Sequence, residues 1–243
     1  MRIVDIVEAR MSSSRLPGKV MRETQGKPML GHMVERLKRS RRLDGVVIAT
    51  TTNPADDVIE DLAADLGVGC FRGSEDDVLD RVLKAAHAFD VDVIVETPGD
   101  CPLLDWTILD HVVDCYLDRD DDYVCNNMRP TYPGGMDVQV FSTKVLEDVA
   151  RRTDDPVDHE HVSLFIYRNQ QIYRCSNAEA PPELFDPDVK FLLDTPDDFR
   201  LISSVFDALY PGKPDFTCAD ILALLRQRPE LRTINRNVQR TKV

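Results

Sequence analysis

The N-terminal part of the chain alternates between short apolar segments and amphipathic segments of helical length. The short segments are rich in β-branched residues and bounded by Gly, Pro or Asp, which is typical of strands. Strand and helix in this rhythm predict βαβ units and a largely parallel sheet, which binds ligands at the carboxyl ends of its strands. The predicted strands are 2–9, 45–52, 68–73 and 92–99, and the predicted helices are 28–40, 54–66 and 75–89.

Two of these helices have recognisable start signals. Asn53 before Pro54, and Ser74 before the acidic turn 75–77, are the expected N-caps.

The second half of the chain shows no repeat and no linker. We therefore predict one domain, residues 1–243, with an inserted lobe at about 128–188. Its predicted helices are 106–118, 143–152, 158–168, 197–209 and 217–228, and its strand-like segments are 122–127, 136–142, 172–177 and 189–195.

The overall charge limits the possible partners. With 43 acidic and 30 basic residues, the formal net charge is −13. Phosphate backbones are bound by clustered Lys and Arg, so a nucleic-acid surface is not expected.

No apolar run reaches the roughly 20 residues of a membrane span, and the N-terminus begins with a strand-like segment, so we expect a cytoplasmic protein without a membrane partner. The six cysteines form no CxxC pair, which favours reduced, buried thiols.

One loop concentrates cations in this acidic chain. Residues 8–20, EARMSSSRLPGKV, leave the first predicted strand and contain Arg10, Arg15 and Lys19. A Walker-A loop is excluded because Ser13 and Val20 occupy positions that need Gly and a hydroxyl, and GxGxxG is absent. Backbone N–H groups, hydroxyls and fixed cations can together surround phosphate oxygens. The alternative is a solvated loop whose cations pair with surface acids.

The run ARMSSSRLPGKV, continued by GKPMLGHMVERLKRS at 26–40, resembles the N-terminal signature of bacterial cytidylyltransferases. It is similar to the enzymes that make CMP-3-deoxy-manno-octulosonate and CMP-sialic acid, and most similar to the SpsF-type branch of spore coat polysaccharide biosynthesis. The resemblance implies an α/β fold of the Rossmann-like nucleotide-diphospho-sugar transferase (GT-A-like) type, with a mostly parallel sheet flanked by helices. It also implies Mg²⁺-dependent transfer of CMP from CTP to a small anionic acceptor such as a sugar acid.

In this family the loop after the first strand binds the triphosphate of CTP. Hexose-1-phosphate nucleotidyltransferases carry a GxGTR-type loop where this chain has Ala9-Arg10. The resemblance implies catalytic, phosphate-binding roles for Arg10, Arg15 and Lys19, and backbone contacts from Ala9, Ser12, Ser13 and Ser14. Strand-end residues 49–52 and 72–74 are expected to border the base and ribose, with Thr50, Thr52 and Ser74 as the nucleotide-binding candidates.

Two aspartates are the expected metal ligands. Asp100 lies in TPGDCPLLD at the end of the strongest predicted strand, where Pro102 stiffens the turn. Mg²⁺ takes one or two carboxylates together with phosphate oxygens and water, so Asp100 needs a companion. Asp194, in FLLDTPDDF, follows another predicted strand and by itself would be a helix cap or turn residue. The resemblance implies that both converge on one magnesium, with Asp100 also contributing to the nucleotide site.

The segment 125–142, CNNMRPTYPGGMDVQVFS, is the expected acceptor site. It offers side-chain amides, an aromatic hydroxyl and a guanidinium that can bind an anion through two hydrogen bonds, although its turn could be purely structural. His159 and His161 are two residues apart, which disfavours zinc, and His161 is expected to line the acceptor pocket. Family members dimerise through such an insertion, which implies a homodimer. The acceptor candidates are Asn126, Asn127, Arg129, Tyr132, Asp137 and His161.

Two other functions remain open from the sequence. A metal-dependent glycosyltransferase would use an Asp-x-Asp motif. The candidate at 90–92 is weak because it precedes a predicted strand instead of ending one, and the acidic run 118–122 is typical of a solvated turn. A noncatalytic nucleotide-binding homologue would keep the fold and lose the metal carboxylates.

Basic residues near the C-terminus are expected to form a solvated face or tail; they are Arg226, Arg228, Arg232, Arg236, Arg240 and Lys242.

Overall fold

The computed structural model describes residues 1–239. The strands are β1 (Ile3–Glu8), β2 (Glu23–Thr24), β3 (Lys27–Pro28), β4 (Gly45–Thr51), β5 (Gly69–Gly73), β6 (Val93–Pro98), β7 (Tyr123–Cys125), β8 (Gln139–Ser142) and β9 (Cys175–Asn177). The helices are α1 (Met29–Leu37), α2 (Asp57–Leu66), α3 (Val78–Ala88), α4 (Trp106–Leu117), α5 (Thr143–Arg152), α6 (Pro156–Glu160), α7 (Leu164–Arg168), α8 (Pro196–Leu209) and α9 (Cys218–Gln227).

Seven strands form one sheet in the order β5-β4-β1-β6-β8-β7-β9, while β2 and β3 form a separate hairpin. The strands β5, β4, β1 and β6 pair in parallel, as the alternation in the sequence predicts. Strand β8 runs antiparallel to both of its neighbours, β6 and β7. The sheet is therefore mostly parallel, and the carboxyl ends of its four predicted parallel strands share one edge.

Both faces of the sheet are covered. Along β1, Val7 packs in the core beneath α1, α4, α8 and α9, and its neighbour Ile6 packs in the core beneath α3, α5 and α7. Successive side chains of a strand point to opposite faces, so strands buried on both faces appear in the sequence as continuous apolar runs. Each fully buried Val, Leu or Ile contributes about 1.5–3 kcal/mol, which makes these layers the rigid base of the site.

The predicted helix starts are confirmed at one place and wrong at another. Asn53 caps a short 3-10 turn ahead of α2, since its side chain accepts from Ala55 N at 3.0 Å. Ser74 is not the N-cap of α3, which begins later than predicted. Asp77 is that cap and accepts from Asp80 N at 2.8 Å, while Ser74 Oγ accepts from Asp77 N. The acidic turn 75–77 therefore precedes the helix instead of forming its first turn.

Two segments of the second half differ from their predictions. The predicted helix 158–168 is two short helices, α6 and α7, interrupted near His161. The predicted strand 189–195 is wrong: it is extended, but its only ladder contact among residues 1–239 is an isolated bridge from Lys190 to Gly134. It pairs with loops instead, and Gly135 (φ +89°) comes so close that a Cβ there would lie 2.9 Å from the Phe191 carbonyl carbon.

Other expectations have mixed outcomes. All six cysteines are free, and Cys101, Cys125 and Cys218 are buried while the other three are half-buried. Within the expected inserted lobe, β8 and α5 belong to the main sheet and its core.

Among residues 1–239, no helix combines the length and apolarity that a membrane span requires. Arg240 and Lys242 lie outside the described residues; the four other basic residues near the C-terminus, Arg226, Arg228, Arg232 and Arg236, are exposed as expected.

Candidate active site

The cation-rich loop after β1 is held at its turn by apolar anchors. Leu16 and Val20 are each 2% exposed, and Gly18 adopts a left-handed conformation with φ +67°. Gly18 N donates to Met11 O at 3.0 Å, which closes the loop on itself. Lys19 lies between the buried Val20 and this tight turn, so the anchors fix the base of its side chain.

Two acidic residues tie the loop to the neighbouring strands. Met11 N donates to Asp56 Oδ1 at 2.7 Å, and Asp56 itself accepts from the hydroxyl of Thr51 at the end of β4. Ser12 Oγ donates to Glu75, whose carboxylate also lies 3.8 Å from a terminal nitrogen of Arg10. The loop is therefore a supported element of the sheet edge and not a freely solvated turn.

The two predicted metal ligands lie together and hold the loop lysine. Lys19 Nζ lies 2.7 Å from Asp100 Oδ2 and 2.9 Å from Asp194 Oδ1. Arg15 reaches the other oxygen, Asp194 Oδ2, at 3.0 Å. Burial alone would lower the pKa of Lys19, but Asp100 and Asp194 outweigh burial and raise the pKa above its usual value. Lys19 is therefore a fixed ammonium between two carboxylates.

Backbone contacts explain why these two aspartates meet. Gly99 N donates to Glu8 O at 2.8 Å, and a Cβ on Gly99 would lie 2.6 Å from that oxygen, so only Gly permits this approach. Leu193 N donates to Asp100 O at 2.8 Å, which sets the following residue beside Asp100. The N-cap of α8 is Thr195 in a capping box, so Asp194 is not the cap that its position in the sequence allows.

These groups line a cavity of about 490 Å³ at the carboxyl edge of the sheet. The predicted loop residues at 9–10, 12–15 and 19 line it together with Asp100, His161 and Asp194. The Lys and Arg residues that line the cavity, which include Arg81 of α3, are equal in number to the Asp and Glu residues, which include Glu8 and Glu160. A triphosphate entering this cavity would therefore bring more negative charge than the lining residues neutralise.

The three candidates for the base and ribose lie outside the lining of this cavity. Thr50 is fully buried in β4, and its hydroxyl has no hydrogen-bond partner within the described chain. Thr52 is exposed, and its N–H donates to Gly73 O at 3.0 Å. Ser74 accepts from Asp77 N at 3.0 Å and its carbonyl accepts from Arg81. Their nucleotide-binding roles stay predictions.

The acceptor candidates separate into two groups. His161 and Asn127 line a second cavity, which adjoins the first. Asn126 is 2% exposed and clamps the backbone, since its amide donates to Met136 O at 2.7 Å and its oxygen accepts from Val138 N at 2.9 Å. The structure therefore brings only some of the 125–142 segment to the site.

The remaining three candidates do not line the loop cavity. Tyr132 is 5% exposed, and burial raises its pKa to about 12. Asp137 accepts from Gly135 N at 3.0 Å, and burial raises its pKa. The Arg129 side chain is 73% exposed, pairs with Glu179 at 3.0 Å, and borders a separate surface cavity. Their acceptor-binding roles stay predictions.

Sequence reasoning missed three buried acids in β1 and β6. Asp5 is fully buried, accepts from Thr97 Oγ1 at 2.8 Å, and has a pKa raised by burial to about 8. Burial also raises the pKa of Glu8 to about 7, against the opposing charge of Arg81. Burial and the neighbouring Glu8 raise the pKa of Glu96 well above its usual value. The available signal was an acidic residue inside an otherwise apolar central strand.

The glycosyltransferase motifs do not reach the cavity. Asp92 accepts from Arg2 N at 2.7 Å at the start of β6, the opposite end of that strand from Asp100. In the run 118–122, Asp120 pairs with Arg174 at 2.6 Å. Within residues 1–239, no group of three or more His, Cys, Asp or Glu is arranged to hold a metal. The roles of Asp100 and Asp194 as metal ligands stay predictions.

Known proteins resemble this chain along most of its length. A family model described as Cytidylyltransferase matches residues 4–208. The chain is 33% identical over 242 residues to the uncharacterized protein MJ1063 of Methanocaldococcus jannaschii, covering 98% of this chain and 96% of that protein. It is 32% identical over 236 residues to the spore coat polysaccharide biosynthesis protein SpsF of Bacillus subtilis, covering 95% and 97%. A match of 25% over 181 residues, covering 70% and 66%, is to an 8-amino-3,8-dideoxy-manno-octulosonate cytidylyltransferase of Shewanella frigidimarina.

Solved structures share the architecture. A cytidylyltransferase from Leptospira borgpetersenii superposes with a TM-score of 0.90 at 32% identity, and the match covers 100% of both chains. A CMP:2-keto-3-deoxy-manno-octonic acid synthetase complexed with CTP gives a TM-score of 0.64 at 19% identity, covering 85% of this chain and 99% of that one, which shows the fold alone. The expected nucleotide-diphospho-sugar transferase fold is confirmed. The chain therefore belongs to the cytidylyltransferase family and is a CTP-dependent nucleotidyltransferase.

Proposed function

We propose that this chain uses magnesium to transfer CMP from CTP to a hydroxyl oxygen of a small acceptor in polysaccharide or sugar-acid biosynthesis. The observation that carries the proposal is the Lys19 ammonium, held 2.7 Å from Asp100 and 2.9 Å from Asp194 at the end of the loop. The names of the relatives support the biosynthetic role, since SpsF takes part in spore coat polysaccharide biosynthesis.

The chemistry follows from charge placement. The acceptor oxygen attacks the α-phosphorus of CTP in line, an O–P bond forms, the bond to the departing pyrophosphate breaks, and the hydroxyl proton is released. Lys19, Arg15 and Arg10 are placed to bind the phosphate oxygens and to stabilise the charge that accumulates on them. The loop fixes their positions before the substrate binds, so little reorganisation is needed, and no nucleophilic Ser or Cys takes part.

The residues present fit a magnesium ion. A single cation, the Lys19 ammonium, already contacts oxygens of both Asp100 and Asp194, so the pair forms a two-carboxylate seat for positive charge. Mg²⁺ favours one or two carboxylates with phosphate oxygens and water. When bound, it would polarise the phosphoryl oxygens and offset the charge of the triphosphate. Asp100 and Asp194 would hold it, and the Lys19 ammonium would then be free to bind the phosphates.

The acceptor completes the proposal. We propose a sugar acid or a related anion, bound in the second cavity beside His161 and Asn127. Arg129 stays the predicted partner of its anionic group. A homodimer formed through residues 128–188 and a cytoplasmic location also stay predictions; light scattering at micromolar concentrations tests the dimer against the monomer mass of 27.6 kDa.

Pyrophosphate release tests the proposed function. The assay combines CTP with a panel of sugar acids, phosphonates and sugar phosphates, before and after chelation with EDTA. We expect acceptor-dependent pyrophosphate release that EDTA abolishes and Mg²⁺ restores. Release that is unaffected by EDTA would contradict the metal role, and transfer of a sugar from a nucleotide sugar would support the glycosyltransferase alternative.

A further inference from the structure

The short helix α6 leads into the wall that the two cavities share. Glu160 is the last residue of α6 and His161 follows it, and both line the loop cavity and the second cavity, which has a volume of about 560 Å³. Helix α3 contributes Val78 and Arg81 to the loop cavity. A helix of 5 residues is not stable by itself, so the position of α6 depends on the contacts that it makes with its neighbours.

His159 joins α6 to two neighbouring helices. Its Nε2 lies 3.0 Å from the carbonyl oxygen of Thr153, the C-cap of α5. Its Nδ1 lies 2.9 Å from Asp77 Oδ1, the same oxygen that caps α3 by accepting from Asp80 N at 2.8 Å. The His159 side chain is 20% exposed, so these contacts are partly shielded from water. A single ring therefore connects α6 with the start of α3 and the end of α5.

The two contacts together require the protonated form of this ring. A carbonyl oxygen and a carboxylate oxygen only accept hydrogen bonds, so both ring nitrogens of His159 must donate. The neutral imidazole has one N–H group, whereas the imidazolium has two. The hydrogen bond to the Thr153 carbonyl and the contact with Asp77 raise the pKa of His159 above its usual value of 6.5, although partial burial opposes them.

The charges around the ring also favour its protonated form. Asp154, in the segment between α5 and α6, adds to the effect of Asp77 and raises the pKa of His159. The other acids of α6 are Asp158, which accepts from the Thr153 hydroxyl at 2.7 Å, and Glu160, which faces the cavities. The cations of the two adjoining helices have other partners: Lys84 pairs with Asp80, Arg151 and Arg152 pair with Asp148, and Arg81 donates to the carbonyl oxygens of Ser74 and Glu75.

We propose that the His159 imidazolium is a positioning group for the acceptor site, because it holds α6 against α3 and thereby fixes Glu160 and His161 in the wall of both cavities. The inference rests on the proposed function, which assigns the second cavity to the acceptor. When the ring loses its proton, one of its nitrogens turns a lone pair toward an oxygen, and α6 loses one of its two attachments. The contribution is therefore present below the pKa of the folded protein's ring and is lost as pH rises through it.

Acceptor kinetics at different pH values test this role. We would measure kcat/KM for the acceptor from about pH 6 to about pH 9 in the wild-type protein and in His159→Gln, whose neutral side chain does not titrate. At the acidic end, the variant should be lower by about 2- to 10-fold, the range for one lost hydrogen bond. This deficit should disappear at the alkaline end, where the wild-type ring is also neutral. The ratio of the two proteins cancels the titration of groups that they share, so a ratio that does not change with pH would overturn the proposal.

Two further variants assign the transition to the contact with α3. Asp77→Asn keeps a side-chain oxygen that can cap α3 and removes the negative charge beside the ring, so the transition should move to lower pH. His87→Gln is the matched control, since His87 also belongs to α3 and pairs with Glu147 at 2.9 Å but lines neither cavity. It should keep the wild-type profile. A transition that stays in place in folded Asp77→Asn, or that moves in His87→Gln, would contradict the assignment.

The protonation of His159 can be measured without turnover. Nitrogen NMR of the ring, assigned by its loss in His159→Gln or by selective labelling, should show an imidazolium that titrates above the usual value of 6.5 in the wild-type protein and at lower pH in Asp77→Asn. A ring that is neutral below pH 6.5 would overturn the inference and leave the proposed function intact. If His159→Gln fails to fold, this titration and the Asp77→Asn profile still decide. No CTP binding by calorimetry and no pyrophosphate release with any acceptor would overturn the proposed function, and the positioning role with it.

Discussion

The backbone N–H of Leu193 donates to the carbonyl oxygen of Asp100 at 2.8 Å, and this hydrogen bond places the next residue, Asp194, beside Asp100. The two carboxylates are 94 residues apart in the sequence, yet both contact the Lys19 ammonium. A shift of the 189–195 segment by one residue would remove one carboxylate from the pair. The site therefore depends on an extended segment that does not belong to the sheet.

Replacing the bridging lysine tests the role of the loop. Lys19→Ala should lower kcat by about 10²- to 10³-fold, because the transition state loses one preorganised positive charge. The matched control is Lys27→Ala. Lys27 is a half-exposed lysine outside the cavity lining, and its ammonium lies 2.6 Å from Glu35 Oε1. Steady-state kinetics and circular dichroism check the result. Near wild-type turnover in a folded Lys19→Ala protein would contradict the site.

The paired aspartates should behave as one unit. Asp100→Asn and Asp194→Asn should each raise the Mg²⁺ concentration needed for half-maximal activity, and the double variant should lose little more than either single variant. Groups that serve one ion are strongly coupled, so their effects do not add. A Mg²⁺ titration of all four proteins measures the coupling. Additive losses in free energy would mean that the two carboxylates act at separate sites.

The sequence predicts the parallel strands and the loop because local signals determine both. The apolar run in β1 and the cations at 10, 15 and 19 are visible without long-range information. Asp194 is different, since its isolated pattern fits a helix cap equally well, and only the family resemblance joined it to Asp100. The structure shows that Thr195 is the cap. Pairing between distant segments cannot be derived from local periodicity.

The misses have physical causes of the same kind. Residues 189–195 have the apolar alternation of a strand, but their backbone groups pair with loop residues such as Gly134, so no regular ladder forms. Glu8 and Glu96 are acidic residues in otherwise largely apolar strands, and only the register of β1 against β6 brings their side chains to the same face. The break between α6 and α7 brings His161 to the cavity, although the amphipathic pattern continues through it.

The exposed guanidinium predicted to bind the acceptor can be tested by truncation. Arg129→Ala should raise the KM for an anionic acceptor by about tenfold. This factor corresponds to about 1.5 kcal/mol, the lower end of the range for a hydrogen bond to a charged group. We expect the lower end because the Arg129 side chain is exposed to solvent. Arg174→Ala is the control, since Arg174 is also exposed and pairs with Asp120 at 2.6 Å. A changed KM for CTP with an unchanged KM for the acceptor would assign Arg129 to another role.

Burial of Asp5 predicts a pH-dependent stability. Its pKa is raised by burial to about 8, so the folded state keeps its proton while the unfolded chain ionises near the usual value of 3.8. As pH rises between these values, this carboxyl makes the folded state progressively less stable, by at most about 1.4 kcal/mol per pH unit. Asp5→Asn cannot ionise, so its stability relative to wild type should increase from pH 5 to pH 7.

Urea unfolding at both pH values measures this difference, with Asp65→Asn at an exposed position of α2 as the control. If the gap between wild type and Asp5→Asn is the same at pH 5 and pH 7, then Asp5 is already ionised in the folded protein, and its burial has been compensated by other groups.

The most direct test of the central claim is the nucleotide preference of pyrophosphate release. Wild-type protein, Mg²⁺ and the acceptor panel are combined in turn with CTP, UTP, ATP and GTP, and release is compared at equal concentrations. We predict that CTP is turned over in preference to the other three and that Lys19→Ala lowers the CTP-dependent release by about 10²- to 10³-fold. Equal turnover of all four nucleotides, or near wild-type release by folded Lys19→Ala, would contradict a CTP-dependent transfer at this site.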